Sequence, residues 1–316
     1  MKDPIINANH SKFKNPHLTA EGAARASVAF THPETLWFNT GTLCNIKCIN
    51  CYIESSPRND ALVYINANEV SNYLDQLITY NWQIRQIAFT GGEPFMNPEI
   101  IEITQRSLAA GYEVLILTNA MSPMMRKQIQ QGLMDLNTAY PDKLTLRISL
   151  DHYNETNHDL ERGIGAFQKT LKGMDWLRDC GVRMTVAGRT VWGETDKQSR
   201  FGYDTLFKHQ GYEIDAFNHG STVLFPELDE TVEVPEITTS CWKILDKNPD
   251  SLMCASSRMV VKRKGAERPT VLACTLLAYA PEFELGYSLE TATKDIALNH
   301  PHCAKFCVLG GGSCSS

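Results

Sequence analysis

The chain has 316 residues, of which 43% are hydrophobic, so it can bury one large core, or one core with a small appendage. Its 30 basic and 36 acidic residues give a net charge of −6, which excludes a broad basic surface, and we expect no nucleic-acid partner. The start has no apolar signal-peptide core and the chain has no run of about eighteen apolar residues, so the sequence predicts a cytoplasmic protein with no membrane partner.

The first predicted elements are an N-terminal arm and a short strand. Residues 1–35 are polar, contain Pro4, Pro16 and Pro33, and have little periodicity, which is typical of an extended arm lying on a domain. The run 36–43 is apolar and β-prone. It predicts a first strand that delivers the chain to a cysteine-containing loop.

Three cysteines follow this strand on one short loop: Cys44, Cys48 and Cys51, spaced C-x3-C-x2-C. Thiolates suit iron-sulfur clusters and zinc, but closed structural zinc sites take four ligands, usually from two separated pairs. Three thiolates can hold three corners of a cubane cluster and leave one iron open. In a reducing compartment, richness in cysteine also points to metal binding or catalysis. The loop therefore indicates a working metal site.

Predicted helices and strands alternate between residues 66 and 226. Asn66 and Glu69 resemble a capping box ahead of an apolar stripe with helical spacing that runs to Ile78. Regular alternation predicts a parallel sheet with right-handed crossovers, either open or curled into a barrel. The further predicted strands are 86–90, 113–119, 144–150, 183–189 and 222–226. Three further helices are predicted: one begins at Asn97 and Pro98, one begins at Ser122 and Pro123, and one has an apolar stripe over 167–177 and ends at Gly181.

A second motif, Gly-Gly-Glu-Pro at residues 91–94, ends the second strand about forty residues after the cysteine loop. Together the two motifs resemble the radical S-adenosylmethionine (SAM) superfamily. The resemblance implies an α/β fold, namely a partial (β/α)6 TIM-like barrel over 36–234, with an N-terminal arm over 1–35. Ligands of parallel α/β folds sit at the carboxyl ends of the strands. We therefore expect the candidate site residues there.

The resemblance also implies a SAM site. The family binds the methionine part of SAM at the open iron of a 4Fe-4S cluster and cleaves the sulfonium with an electron, giving a 5'-deoxyadenosyl radical. Backbone groups of Gly91 and Gly92 would approach the methionine amino group, and Glu93 would aid or position that contact. Asn119 and Ser149 are candidates for contacts with the ribose and carboxylate, although strand-end residues of these types also form turns.

Two further residues near strand ends have competing interpretations. Arg189 fits either a bidentate pair with the carboxylate of SAM or a surface ion pair. His158 lies in a stretch that resembles the family's segment after the fourth strand. We interpret His158 as a loop or helix-cap residue rather than a ligand or base.

The composition changes over 235–316, where we expect a separate small cysteine-rich C-terminal lobe. Its six cysteines resemble the SPASM and twitch extensions, which carry auxiliary clusters. A full SPASM domain uses seven or eight cysteines for two clusters, so six favour one auxiliary 4Fe-4S cluster, as in twitch. Cys241 fits a core thiol or an additional ligand. The resemblance implies Cys254 and Cys274 as ligands, and Cys303, Cys307 and Cys314 are candidates for the other two positions. Cys307 precedes an apolar pair and three glycines that allow a tight turn toward the cluster, so we expect Cys307 and Cys314 to be ligands and Cys303 to be the most dispensable candidate.

The resemblance implies an enzyme that abstracts hydrogen from a small-molecule or peptide substrate in a biosynthetic or maturation pathway, with an electron donor such as flavodoxin or ferredoxin. The residues before the first strand are too few for a leader-peptide-binding domain, so we expect a small molecule or a peptide brought by a separate protein. The competing hypotheses are a non-catalytic zinc-binding module and an iron-sulfur redox sensor without SAM cleavage. The Gly-Gly-Glu-Pro motif favours the enzyme, because neither alternative needs a methionine-binding turn.

Overall fold

The structure, a computed structural model, describes residues 12–226 and 232–312. Within these ranges the strands form one sheet of nine strands and one of two. The strands are β1 (Ser27–Val28), β2 (Thr35–Asn39), β3 (Gln86–Thr90), β4 (Glu113–Thr118), β5 (Leu144–Ser149), β6 (Arg183–Arg189), β7 (Thr222–Phe225), β8 (Ser257–Val261), β9 (Thr270–Leu272), β10 (Glu284–Gly286) and β11 (Ile296–Ala297).

The larger sheet has the order β10-β9-β8-β2-β3-β4-β5-β6-β7. Its strands run parallel from β8 through β2 to β7, and β9 and β10 are antiparallel additions at one edge. In the described part of the chain, β7 and β10 form the two edges and do not pair with each other. The predicted parallel α/β fold is confirmed, and the barrel is partial rather than closed.

Helices connect the parallel strands and cover the outer face of the sheet. No helix among the described residues is long and apolar enough to cross a membrane. The α-helices are α1 (Ala67–Thr79), α2 (Ile100–Ala109), α3 (Lys127–Ala139), α4 (Glu155–Arg162), α5 (Ala166–Asp179), α6 (Asp196–Gln210), α7 (Cys241–Ile244) and α8 (Met253–Ser256), and a π-helix spans Cys303–Leu309.

The capping box predicted at the start of α1 is confirmed. The Asn66 side chain accepts a hydrogen bond from the Glu69 N–H at 2.9 Å, and the Glu69 carboxylate accepts one from the Asn66 N–H at 3.0 Å. The predicted stripe is buried at Val70 and Tyr73, but Ile78 is 74% exposed. Eight residues at 3.6 per turn place Ile78 about 80° around the helix from Val70, which turns it out of the core.

Two helices begin later than the sequence predicted. The helix expected from Asn97 begins only as α2, because Pro94–Met96 forms a 3-10 turn and the Asn97 side chain accepts a hydrogen bond from the Glu99 N–H. The helix expected from Ser122 begins only as α3, after a run of turns. No pattern in the sequence predicted α4 or α6.

The first strand of the sheet also ends earlier than predicted. β2 stops at Asn39, where the side-chain carbonyl accepts a hydrogen bond from the Gly41 N–H at 2.9 Å. Gly41 has a φ of 111°, a conformation that favours glycine and breaks the strand. The segment from Thr40 to Leu43 therefore approaches the cysteine loop as irregular backbone.

The C-terminal segment is continuous with the main sheet, because β8 pairs in parallel with β2. The N-terminal arm joins the same segment through the pairing of β1 with β11. The strands of the main sheet thus come from both sides of residue 234. This pairing alone does not test where a domain begins or ends, and the divisions 1–35, 36–234 and 235–316 remain predictions.

The core has two layers on opposite faces of the sheet. Phe38 and Phe89 belong to the larger cluster on the helix-covered face, whereas Trp37 and Ala88 belong to the cluster on the inner face of the partial barrel. This alternation follows from the period of two along a strand. Both faces are therefore filled along the strands, and open space lies at the strand ends.

Candidate active site

A cavity opens at the carboxyl ends of the parallel strands, where ligands of such folds bind. With its open mouth, it encloses about 970 Å3. Most of the predicted site residues of the barrel line it, on a wall that is polar and contains thiols. These residues are Cys44, Cys48, Cys51, Gly91, Gly92, Asn119, Ser149 and Arg189.

The thiols of the cysteine loop are free and line the cavity. Burial raises the pKa of Cys44 to about 12, and burial likewise raises the pKa of Cys48 against the opposing positive charge of Arg162. The Ser55 N–H donates to Cys51 Sγ at 3.3 Å. Buried thiolates need a compensating cation, which a metal supplies when it binds.

The two glycines of the Gly-Gly turn pack against the segment that leads into the cysteine loop. The Gly92 N–H donates to Gly41 O at 2.8 Å. A Cβ added at Gly92 would overlap Leu43 O, and one added at Gly91 would lie 2.6 Å from Gly41 O. Glycine is thus required here for backbone packing, a reason that the sequence analysis did not anticipate.

Glu93 lies beneath the cavity wall rather than in it. Its side chain is buried, and its carboxylate accepts hydrogen bonds from the Thr118 hydroxyl at 2.8 Å, the Asn119 N–H at 2.9 Å and the Phe95 N–H at 3.1 Å. Burial raises the pKa of Glu93 to about 7, although these hydrogen bonds oppose the shift. Glu93 therefore ties the end of β3 to the end of β4.

Asn119 connects the end of β4 to the cysteine loop. Its side-chain Nδ2 donates to Asn45 Oδ1 at 2.9 Å and lies 3.9 Å from Cys44 Sγ. Its Oδ1 accepts a hydrogen bond from the Met121 N–H at 3.0 Å. Ser149, at the end of β5, lines the same cavity.

A buried network of charges lies beside the thiols. Arg162 donates from Nε to Asp151 Oδ2 at 2.7 Å and from Nη2 to Asp151 Oδ1 at 3.0 Å. Arg189 Nε lies 3.6 Å from the same carboxylate. Burial alone would raise the pKa of Asp151, but Arg162, with Arg189, holds it below its ordinary value. The network fixes Arg189 at the cavity wall. Arg162, which binds the same carboxylate, is a site residue that no sequence pattern indicated.

Asn50, inside the cysteine loop, is held from two sides. Its N–H and its Nδ2 both donate to the Glu161 carboxylate at 2.8 Å, and its carbonyl accepts a hydrogen bond from Arg189 Nη2 at 2.6 Å. The Ile49 N–H also donates to Glu161 O at 3.0 Å. The carboxyl end of α4 thus immobilises the loop between its second and third cysteines.

His158 is neither a cap nor a wall residue of the cavity. It lies inside α4 and its side chain is fully buried, so the predicted loop or cap position is wrong. Neither ring nitrogen has a hydrogen-bond partner in the described part of the chain.

Three cysteines of the C-terminal segment lie close together. Burial raises the pKa of Cys254 to about 12, with the nearby Cys274 acting in the same direction. Burial also raises the pKa of Cys303, and the charges of both Cys274 and Cys254 add to that effect. Cys303 is therefore within electrostatic reach of the other two, which argues against its being the dispensable candidate.

The remaining C-terminal cysteines differ in position. Cys307 is half-buried and lies four residues after Cys303 on the π-helix, a helix type frequent at functional sites. Cys241 accepts a hydrogen bond from the Thr238 N–H at 3.4 Å and is half-buried against the core. Cys314 lies outside the described residues.

Part of the cavity wall is apolar. Phe225 and Pro226, at the end of β7, meet Leu276 and Phe306 from the C-terminal segment. The rings of Phe225 and Phe306 have centroids 5.7 Å apart. Because Phe306 belongs to the same π-helix as Cys303, this wall is structurally connected to the C-terminal cysteines.

Comparison with known proteins agrees with this geometry. Residues 38–199, about half of the chain, match the model of the radical SAM superfamily. The chain belongs to the radical SAM superfamily. The matched region runs from β2 to α6 and contains the cysteine loop, the Gly-Gly turn and the charge network.

Two curated radical SAM relatives illustrate the sequence similarity. The chain is 31% identical over 206 residues to the antilisterial bacteriocin subtilosin biosynthesis protein AlbA of Bacillus subtilis, covering 63% of this chain and 44% of AlbA. It is 29% identical over 153 residues to the AdoMet-dependent heme synthase of Methanosarcina barkeri, covering 47% of this chain and 41% of that protein. The chain thus spans less than half the length of these relatives.

Solved structures share the fold at low sequence identity. SuiB of Streptococcus suis bound to S-adenosylmethionine superposes with a TM-score of 0.58 at 12% identity, covering 81% of this chain and 63% of SuiB. Native anSMEcpe with bound AdoMet superposes with a TM-score of 0.58 at 14% identity, covering 86% and 83%. Identities this low support the fold alone.

The donor set fits a cubane cluster better than a zinc ion. Within residues 12–226 and 232–312, no three His, Cys, Asp or Glu side chains converge to hold one metal ion. A closed zinc site needs such convergence. A cubane does not, because each thiolate binds a different iron, and three free thiols on one cavity wall are the donors it requires.

Proposed function

We propose that this chain is a radical SAM enzyme that holds a 4Fe-4S cluster on Cys44, Cys48 and Cys51 and binds SAM beside it. The observation that supports this most strongly is that one cavity joins these three thiols to the Gly-Gly turn and to the polar ends of β4, β5 and β6. When bound, the cluster supplies the electron that cleaves SAM to a 5'-deoxyadenosyl radical, which abstracts a hydrogen atom from the substrate.

The polar wall would bind and orient SAM. Ser149 and Arg189 line the cavity, and we assign them contacts with the ribose and the carboxylate of SAM. Asn119 holds the cysteine loop through Asn45 and also faces the cavity. Glu93 acts indirectly, because its carboxylate fixes the strand ends from below.

The apolar wall would exclude water and bind an apolar part of the substrate. The side chains of Phe225, Leu276 and Phe306 offer no hydrogen-bond partner to an ordered water on that wall. Excluding water protects a reactive intermediate from side reactions. The same side chains offer aromatic and aliphatic contact surface to a substrate.

An auxiliary 4Fe-4S cluster would be held by the C-terminal cysteines. The mutual proximity of Cys254, Cys274 and Cys303 supports their assignment as ligands. The fourth ligand would be Cys307 or Cys314. The position of Phe306 on the π-helix would put this cluster behind the apolar wall of the substrate cavity.

The substrate would be a peptide or a small molecule in a biosynthetic pathway, and a separate protein such as flavodoxin or ferredoxin would supply the electron. The name of AlbA refers to biosynthesis of a bacteriocin. SuiB has been solved with its precursor peptide SuiA, and anSMEcpe with a peptide. The name of AlbA points to a peptide and that of the AdoMet-dependent heme synthase to a small molecule, so the proposal includes both substrate classes.

Anaerobic reconstitution tests the proposal. We expect about eight irons per chain, and about four when Cys44, Cys48 and Cys51 are all replaced by alanine, because each 4Fe-4S cluster contributes four. The wild type incubated with SAM and dithionite should release 5'-deoxyadenosine, measured by chromatography, and the triple variant should release none.

Cys180→Ala is the matched control, because Cys180 lies at the end of α5, outside both cysteine groups. It should retain both the iron and the SAM cleavage. Stoichiometric zinc in place of iron, or equal SAM cleavage by wild type and triple variant, would contradict the proposal.

A further inference from the structure

Arg258 on β8 is a buried cation bonded only to uncharged groups. Its side chain is fully buried. Nε donates to Ala292 O at 2.7 Å, Nη1 donates to Cys254 O at 2.6 Å and to Ser257 O at 2.8 Å, and Nη2 donates to Lys294 O at 3.1 Å. All four acceptors are backbone carbonyls.

Three other largely buried arginines in the described part of the chain have a carboxylate partner. Arg25 binds Glu236, Arg162 binds Asp151 and Arg200 binds Asp196. Arg258 forms no ion pair with a carboxylate among the described residues. A guanidinium is always charged at neutral pH, and a buried charge is costly unless a charge of opposite sign compensates it.

The compensating groups nearest to Arg258 are cysteines. Its charge interacts most strongly with Cys254 and Cys274, and then with Asp295, which is on the surface. The ring of Phe30 lies 4.0 Å from the guanidinium carbon, and it provides a cation–π contact rather than a negative charge. Arg258 is thus a buried cation that is hydrogen-bonded to the backbone of Cys254, one of the proposed cluster ligands.

We propose that Arg258 is the counter-charge of the auxiliary cluster, offsetting the negative charge of its thiolates and keeping its reduction potential higher than it would otherwise be. This inference rests on the proposed function, because it requires a 4Fe-4S cluster on Cys254 and Cys274. The potential of such a cluster depends on the net charge and hydrogen bonding around it. A fixed positive charge favours the reduced, more negative state.

The test uses the full chain with Cys44, Cys48 and Cys51 replaced by alanine, so that only the auxiliary cluster contributes to the spectrum. This parent is compared with versions that also carry Arg258→Gln or Arg258→Lys. We expect all three to retain about four irons. At the midpoint potential of the parent, the reduced-to-oxidised ratio measured by electron paramagnetic resonance should fall about tenfold in Arg258→Gln and stay within about threefold in Arg258→Lys.

Arg200→Gln is the matched control. Arg200 is also buried and also donates to backbone carbonyls, of Ala216 and Thr222, but it lies on α6, away from the cysteines. It should leave the potential of the cluster unchanged. An equal shift in Arg200→Gln and Arg258→Gln would overturn the inference, because it would reflect loss of packing rather than of a local charge.

The outcomes separate the two proposals. If the parent binds no iron, the auxiliary cluster and the role of Arg258 both fail. If the parent binds iron and Arg258→Gln has the same potential, only the role of Arg258 fails. If Arg258→Gln loses the iron, Arg258→Lys decides: retention of iron with a nearly unchanged potential supports the counter-charge, and loss of iron there overturns it.

Discussion

The imidazole of His158 is buried in the core without a hydrogen-bond partner in the described part of the chain. Its imidazole packs edge-on against Phe167, with the ring centroids 5.5 Å apart, and its two nitrogens have no partner in the described part of the chain. Burial lowers the pKa of His158 to about 4, and the positive charge of Arg162 acts in the same direction. The ring is therefore neutral at pH 7, and its unpaired nitrogens reduce the stability of the fold.

We expect His158→Leu to raise the free energy of unfolding by about 1 kcal/mol at pH 7, because no hydrogen bond is lost. In the wild type the folded-state pKa lies below the unfolded value of about 6.5. Stability is therefore complete above that pH and falls as the pH drops toward 4, by about 3 kcal/mol for a shift of this size. Denaturant titrations across this range should show that the variant lacks this part of the pH dependence.

His152→Leu provides the contrast. The Nδ1 of His152 accepts a hydrogen bond from the Asn154 N–H at 3.1 Å, and its Nε2 lies 3.4 Å from the Glu194 carboxylate. Its replacement should lower the free energy of unfolding by about 1 to 3 kcal/mol. Equal destabilisation by both substitutions would mean that the nitrogens of His158 are satisfied after all.

Single residues differ in how far the sequence predicts them. The three thiols of the cysteine loop could be placed on one cavity wall because their spacing is local. The contacts of Glu93 could not be predicted, because its partners Thr118 and Asn119 lie at the carboxyl end of the next strand. The residue type indicated a site, and only the fold defined its contacts.

At the scale of elements, α4 escaped sequence-based prediction because its buried face is polar. His158 and Glu161 are buried, whereas Leu160 is 65% exposed. A search for apolar residues at helical spacing therefore finds no stripe in this helix. The same feature gives α4 its place in the site, since Glu161 and Arg162 at its carboxyl end contact the cysteine loop and the charge network.

We expect Glu161→Ala to speed the loss of iron from the SAM-binding cluster about tenfold, because Asn50 loses both of its hydrogen bonds to the carboxylate, each worth roughly 1.5 to 3 kcal/mol. Iron release to a chelator, followed by absorbance, measures this rate. The auxiliary cluster should release iron at the wild-type rate. Glu155→Ala, an exposed change at the other end of α4, is the control, and equal release rates in the two variants would remove Glu161 from loop positioning.

At the scale of the whole molecule, the alternation of elements predicted the parallel sheet, but not its extension by the C-terminal segment. β8 contains the buried Arg258, and its partner β2 lies more than 200 residues earlier in the chain. No local pattern indicates such a pairing. The composition change near residue 235 predicted a separate lobe, a division that stays a prediction, but it gave no sign that this segment pairs with the sheet and with the N-terminal arm.

One carboxylate makes several of the contacts between the arm and the C-terminal segment. Glu236 accepts hydrogen bonds from the Phe13 N–H at 2.7 Å and the Ala20 N–H at 2.6 Å, and it pairs with the buried Arg25. Further along the arm, the Thr31 N–H donates to Ala255 O at 3.0 Å, next to Cys254. The arm is thus a structural part of the region that would hold the auxiliary cluster.

We expect Glu236→Ala to release the arm, because it leaves the buried Arg25 without its carboxylate partner, a change that typically costs about 3 to 5 kcal/mol. Hydrogen–deuterium exchange should increase over residues 13–28. Glu233→Ala removes an exposed ion pair with Lys12, worth about 1 kcal/mol or less, and should leave exchange there nearly unchanged.

Burial would raise the pKa of Glu236, but the N–H groups of Ala20 and Phe13, with Arg25, hold it below its ordinary value. The stabilisation is therefore present above about pH 4.3 and is lost as the pH falls through the folded-state pKa, so acidification of the wild type should reproduce the exchange pattern of Glu236→Ala. An arm that stays protected in Glu236→Ala would show that the pairing of β1 with β11 holds it alone.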